Sequence, residues 1–184
     1  MHSKLRSFTF DGMKRSFFCG LAMCLVLATS CDDGDLQIET LDFDSVSIDT
    51  CDNPITTSTE VLFKINGDEA LILELGAGLL VNEVTTEART SALPSNSNLI
   101  YRIFDGSVTS GYFCDAIPPV SPVVIEEIIA SSGTVSVTTT STDGVTFTHL
   151  IQLEGITLLN GQDERITDLS INDFGEITTS ISTK

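Results

Sequence analysis

The chain has no tryptophan, two histidines, and nine basic residues against 26 acidic ones. Each scarcity excludes or weakens a class of function. With no tryptophan and only two tyrosines, the flat aromatic platforms that commonly hold glycans are missing. So is the ring that packs on the disulfide of true immunoglobulin domains. His2 stands at the extreme N-terminus, which leaves His149 to serve any Ser–His or Cys–His mechanism. His149 falls between Phe147 and Ile151 on the apolar side of an alternating run, a core position, and no Gly-x-Ser-x-Gly elbow occurs. The net charge of −17 repels phosphate backbones and anionic lipid surfaces, which excludes nucleic acid as a partner. Long apolar runs are also missing: Phe17 to Ala28 falls well short of the roughly 20 residues that span a bilayer.

That short run follows Lys14-Arg15 and ends in small residues before Cys31, the pattern of a secretory signal peptide covering residues 1–30. Met13-Lys14-Arg15 is a complete basic start, whereas a start at Met1 places Asp11 in it; the mature protein is the same either way. Ala28-Thr29-Ser30-Cys31 resembles the lipobox of bacterial lipoproteins, although leucine is commoner where Ala28 stands. The resemblance implies that Cys31 is lipidated and becomes the new N-terminus. Two or more acyl chains, at about 0.8 kcal/mol per buried methylene, anchor a protein stably to the membrane. Asp32-Asp33-Gly34-Asp35 resembles the lipoprotein export signal of Bacteroidota, and the chain is similar in texture to flavobacterial lipoproteins. Export to the cell surface is implied, while enteric-type sorting would read Asp32 as retention at the inner membrane. The resemblance carries no activity and no catalytic residues.

Cleavage before Cys31 leaves 154 of the 184 residues, the size of one domain. Five basic and 25 acidic residues remain, a net of −20. Cys19 and Cys24 leave with the signal and Cys31 takes lipid, so Cys51 and Cys114 remain. An even pair in an exported protein reads as a disulfide. Two free thiols or a metal pair are the rival, and no neighbouring cysteine or histidine completes a zinc site.

Residues 31–43 read as the lipidated cysteine and an acidic tether, and residues 44–184 as the folded domain. Alternation begins with Val46 and Ile48. It continues in Val61, Phe63 and Ile65 around Lys64, and in Leu71, Leu73 and Leu75 around Glu74. Val135 and Val137 follow, then Val145 to Leu153. Val123 to Ala130, rich in valine and isoleucine, favours a strand over a helix. Asn66-Gly67, Asp105-Gly106, Asp143-Gly144 and Asn160-Gly161 are hairpin-turn signals. Ser91 to Asn98 and Asp115 to Pro122 read as the long connections. About ten short antiparallel strands predict an all-β fold, a β-sandwich of Ig-like or jelly-roll-like form.

Chemistry is thin in this pattern. Glu126 and Glu127 are adjacent, so on a strand they point to opposite faces and cannot clasp one substrate. Asp42 and Asp44 read as solvated surface, and the Ser/Thr-rich stretch Thr134 to Thr142 as strand surface. Asp163, Glu164, Asp168 and Asp173 are weak candidates for a loop cluster that binds calcium, although no EF-hand spacing is present. The expected function is a non-enzymatic, lipid-anchored module of the envelope. It sits at the outer membrane, the cell surface or the periplasmic face, and binds a protein or a surface component. The alternative is a small exported hydrolase or calcium-dependent module using loop carboxylates.

Overall fold

The alternating segments become strands in the structure, a computed structural model that describes residues 41–161, 165–166 and 172–181. Cys31, the expected signal peptide and the tether up to residue 40 lie outside the described residues, as do Asp163, Glu164 and Asp168. Among the described residues the strands are β1 (Val61–Asn66), β2 (Glu69–Glu74), β3 (Arg89–Leu93), β4 (Asn98–Phe104), β5 (Val124–Thr140), β6 (Thr146–Leu159), β7 (Arg165–Ile166) and β8 (Asp173–Ser180), with one short helix, α1 (Ser110–Cys114), between β4 and β5. Every pairing is antiparallel, and the all-β expectation holds.

The strands form one curled sheet rather than two separate ones. Its order is β1-β2-β4-β5-β6-β7, with β3 also on β5 and β8 also on β6. Strand β5 joins the two halves. Val124 to Ile129 pairs with β4, while Gly133 to Val137 pairs with β3 and Ala130 to Thr140 with β6. The change of partner falls where the register shifts twice, between Ala130 and Thr134. Gly133 sits at the centre of that bend with φ 142°, and a Cβ there would stand 2.5 Å from Ile156 Cδ1. Both the backbone angle and the close approach demand glycine.

Register assigns the faces, because residues paired across a ladder share one side. Lys64, Leu71, Tyr101 and Ile128 form a row on the inner face, and Leu62, Leu73 and Leu99 another. With Val135, Val137, Ile151, Leu153 and Phe174 from the second half they make one core cluster. Leu41 and Phe43 belong to it, at 2% and 1% exposure, so the end of the segment read as tether is packed. The outer face of β1, β2 and β4 is also apolar. Phe63, Ile72, Phe104 and Val108 are buried there, with Tyr112 and Phe113 of α1 packed against them. Strands β1 and β2 are therefore covered on both sides and are not the half-solvated strands that alternation predicts.

Lys64 marks that correction. Its position between Val61, Phe63 and Ile65 reads as solvent-facing, yet it is buried on the inner face. Its Nζ donates to the Phe43 carbonyl at 2.8 Å and lies 5.6 Å from the centre of the Phe174 ring. Burial lowers its pKa, opposed by the charges of Asp44 and Asp173.

Two turns behave as predicted. Gly67 (φ 66°) closes the β1–β2 hairpin and Gly144 (φ 68°) the β5–β6 hairpin. In the second, Asp143 Oδ1 accepts from the backbone N–H groups of Val145 and Thr146 at 2.8 and 2.7 Å, which lowers the carboxyl's pKa. Asp105-Gly106 is not a hairpin. It opens an excursion that carries α1 over the outer face and returns at Val123, whose N–H donates to Asp105 Oδ1 at 2.9 Å. Val46 and Ile48 form no strand but pack, partly buried, against the core; beside them Asp49 makes an isolated bridge with Phe63. Ser91 to Leu93 lies within β3, so the longer connection is instead the one from β2 to β3.

Candidate functional site

The outer face carries the surface of interest. Its central row is Phe63, Ile72, Ile100 and Ile129, one residue from each of β1, β2, β4 and β5. Helix α1 covers one end: Phe113 stacks on Phe63 with ring centres 4.6 Å apart, and Tyr112 meets Phe104 edge-on at 5.0 Å. Coverage falls away across the row. Phe63 and Ile72 are buried, Ile100 is half-buried, and Ile129 is 51% exposed.

The helix is too short to hold its place by backbone hydrogen bonds alone, since nucleating one turn costs more conformational freedom than one bond returns. The disulfide fixes it. Cys51 and Cys114 are joined, with Cα atoms 5.2 Å apart across 63 positions of sequence. This is the pairing that the cysteine count predicts. It clamps the end of α1 to the segment before β1. Beside it runs an open groove of about 440 Å³, floored by Ile72 and Ile100 and walled by Phe113 and Cys51. Asp52, Glu60 and Glu74 stand on its rim with one cation, Arg102. That cation is already engaged: its Nε donates to Glu127 Oε2 at 2.6 Å.

Past the disulfide, residues 115–123 lead into β5. This loop is exposed through Ser121 and held at its far end by the Asp105–Val123 contacts. Pro118, Pro119 and Pro122 stiffen it by fixing φ. Ile117 and Val120 project from it, 86% and 94% exposed. A bulge follows: Ile103 pairs with Glu126 but Phe104 with Val124, which leaves Ile125 without a partner in that ladder and 66% exposed. Five of the nine exposed large hydrophobic side chains among the described residues fall between Ile117 and Ile129. The glutamates separate as expected, Glu127 to the outer face opposite Arg102 and Glu126 to the inner face opposite Ile103.

His149 takes the core position its sequence neighbours indicate, and the structure adds its partners. It is fully buried. Nδ1 lies 2.9 Å from Thr139 Oγ1, and Nε2 lies 2.8 Å from Thr179 Oγ1. Thr179 spends its own hydrogen on Asn82 Oδ1 at 2.5 Å. It therefore accepts from His149 Nε2–H, leaving Nδ1 to accept from the Thr139 hydroxyl. The ring is neutral, and burial holds its pKa below the ordinary 6.5. Both nitrogens are occupied, so the arrangement is a structural tie between β5, β6, β8 and the connection from β2 to β3. It also corrects the reading of Thr134 to Thr142 as surface, since Ser136 and Thr139 are buried.

This tie makes stability depend on pH. The unfolded chain binds a proton near pH 6.5 that the folded chain resists, so stability rises with pH through that region. The thermal midpoint of the full chain falls as pH drops from 7.5 toward 5, and the fall is shallower in His149→Gln. A wild-type profile no steeper than the variant's contradicts the assignment.

Of the four acidic residues considered for calcium, only Asp173 is described, and its Oδ1 accepts from Gln152 Nε2 at 2.9 Å. Among the described residues no group of three or more His, Cys, Asp or Glu side chains is placed to hold a metal. Also among them, no helix is long and apolar enough to cross a membrane. No protein-family model matches the chain, and neither the curated proteins nor the solved structures contain a match.

Proposed function

We propose that the chain is an exported, lipid-anchored module of the cell envelope that works by binding another protein through the outer face of its first half-sheet. Cys31 supplies the anchor and the acidic segment after it the tether. The observation that carries the binding is the concentration of exposed apolar side chains from Ile117 to Ile129 beside a groove with an acidic rim. Scattered surface hydrophobics need no explanation, but apolar side chains gathered on one stiffened loop and one strand mark an interaction site. The loop is held at both ends and carries three prolines, so little conformational freedom is lost when it docks.

Two measurements on the full chain test the reading. In fractionated cells the Cys31→Ser variant moves from the membrane to the soluble fraction; unchanged membrane retention contradicts the anchor. For the binding face, a photo-crosslinking residue placed at Ile129 in intact cells gives a discrete protein adduct. The same residue at Val145, which is 43% exposed at the β5–β6 turn, gives none. Equal labelling at both places, or adducts at neither, contradicts it.

A further inference from the structure

Strand β5 has two edges, and its first part uses one of them. Val124 to Ile129 pairs with β4, whereas the ladder to β6 begins only at Ala130. Among the described residues no strand pairs with the second edge of Val124–Ile129. The amide and carbonyl groups on such an edge form a template for one more strand. The bulge at Ile125 breaks the regular register, so the usable part runs from Glu126 to Ile129.

We infer that this edge takes up an extended segment of a partner protein, one that places an apolar side chain beside Ile129 and cationic side chains beside Glu126 and Glu127. This inference rests on the docking reading above and supplies its mode and the chemistry of the partner. Main-chain pairing provides attraction without sequence preference, and the faces provide the selection. On the outer face, an apolar residue beside Ile129 extends the row of Phe63, Ile72, Ile100 and Ile129 by one strand. Two positions along the same face, a lysine or arginine meets Glu127, whose other side is held by Arg102. The inner face offers Glu126, half-buried at the margin of the core. The groove rim adds Asp52, Glu60 and Glu74, so the whole surface favours a cationic segment.

A second copy of this chain does not meet that requirement. Glu126 to Ile129 of a second copy carries two glutamates and no cation, so it offers neither glutamate an opposite charge. Two mature chains of net −20 also repel before contact. The acidic edge thus disfavours self-association while admitting a basic partner.

A short peptide alternating lysine with valine and threonine is the probe, titrated into the full chain and read by fluorescence anisotropy. It binds. A version methylated on every second backbone nitrogen, which cannot pair with the edge, binds at least about tenfold more weakly, as does a version with glutamate for lysine. The double variant Glu126→Lys, Glu127→Lys loses at least about tenfold in affinity for the lysine peptide, while Glu176→Lys on β8 leaves it unchanged. Equal binding of the methylated peptide overturns strand addition, as does indifference to the double substitution. So does capture of the Cys31→Ser chain, which lacks the anchor, by phosphatidylcholine vesicles in preference to the peptide, because that assigns the apolar edge to lipid. If the peptide arms fail while the Ile129 adduct forms in cells, strand addition falls and the docking face stands. Failure of both removes the docking reading itself.

Discussion

Replacing both Cys51 and Cys114 with serine lowers the unfolding free energy by about 4 kcal/mol, the loop-closure value for a cross-link spanning 63 positions. Packing that the disulfide secures is lost in addition. Helix α1 has five residues, and none of them is buried. Once released, its Phe113 and Tyr112 leave Phe63 and Phe104 partly uncovered. Urea unfolding of the full chain, with and without the two substitutions, reads the difference directly. A change below about 1 kcal/mol means that α1 holds its place without the cross-link and that the clamp is dispensable.

The second large effect lies on the inner face. Tyr101→Ala costs about 3–5 kcal/mol, the usual range for emptying a large aromatic site in a closed core. Tyr101 is fully buried, shares its row with Leu71 and Ile128, and meets Phe43 edge-on at 6.3 Å. Its hydroxyl donates to Glu69 Oε1 at 2.7 Å. Tyr101→Phe keeps the volume and removes that bond, at a cost of about 1 kcal/mol. The contrast between the two variants in urea melts separates packing from hydrogen bonding. Similar losses for both assign the stabilisation to the hydroxyl instead of the ring.

Alternation made the strands legible, because a two-residue period is local and survives in any sheet. The same logic separated Glu126 from Glu127 and put His149 in the core. It failed where one strand is covered on both faces. Nothing in the sequence around Lys64 says that Phe43, 21 residues away, supplies an acceptor for a buried ammonium group. The partners of His149 are equally non-local: Thr179 lies 30 residues on, and the Asn82 that completes the tie lies 97 residues from Thr179. Helix α1 was invisible because five residues cannot display a 3.6-residue period. Cys51 and Cys114 were paired by elimination, since the expected signal peptide takes Cys19 and Cys24 and the expected lipid takes Cys31.

The proposed docking surface shows the same division. Its residues were in view as a proline-flanked valine and isoleucine run, and that run was read as a strand. Its edge was not, because an edge is a property of strand order. Only the transfer of β5 from β4 to β3 and β6, at the Gly133 bend, leaves Glu126 to Ile129 with one side unpaired among the described residues. The groove likewise depends on α1 crossing the outer face, where Asp105-Gly106 had suggested a hairpin. Composition supplied an exclusion and no partner: a chain of net −17 repels nucleic acid.

The most direct measurement is amide hydrogen exchange of the full chain, compared between its host membranes and the purified protein in detergent. A partner strand on β5 slows exchange across 126–129 in the membranes and leaves the β1–β2 hairpin unchanged. Identical exchange across 126–129 in the two settings contradicts the account.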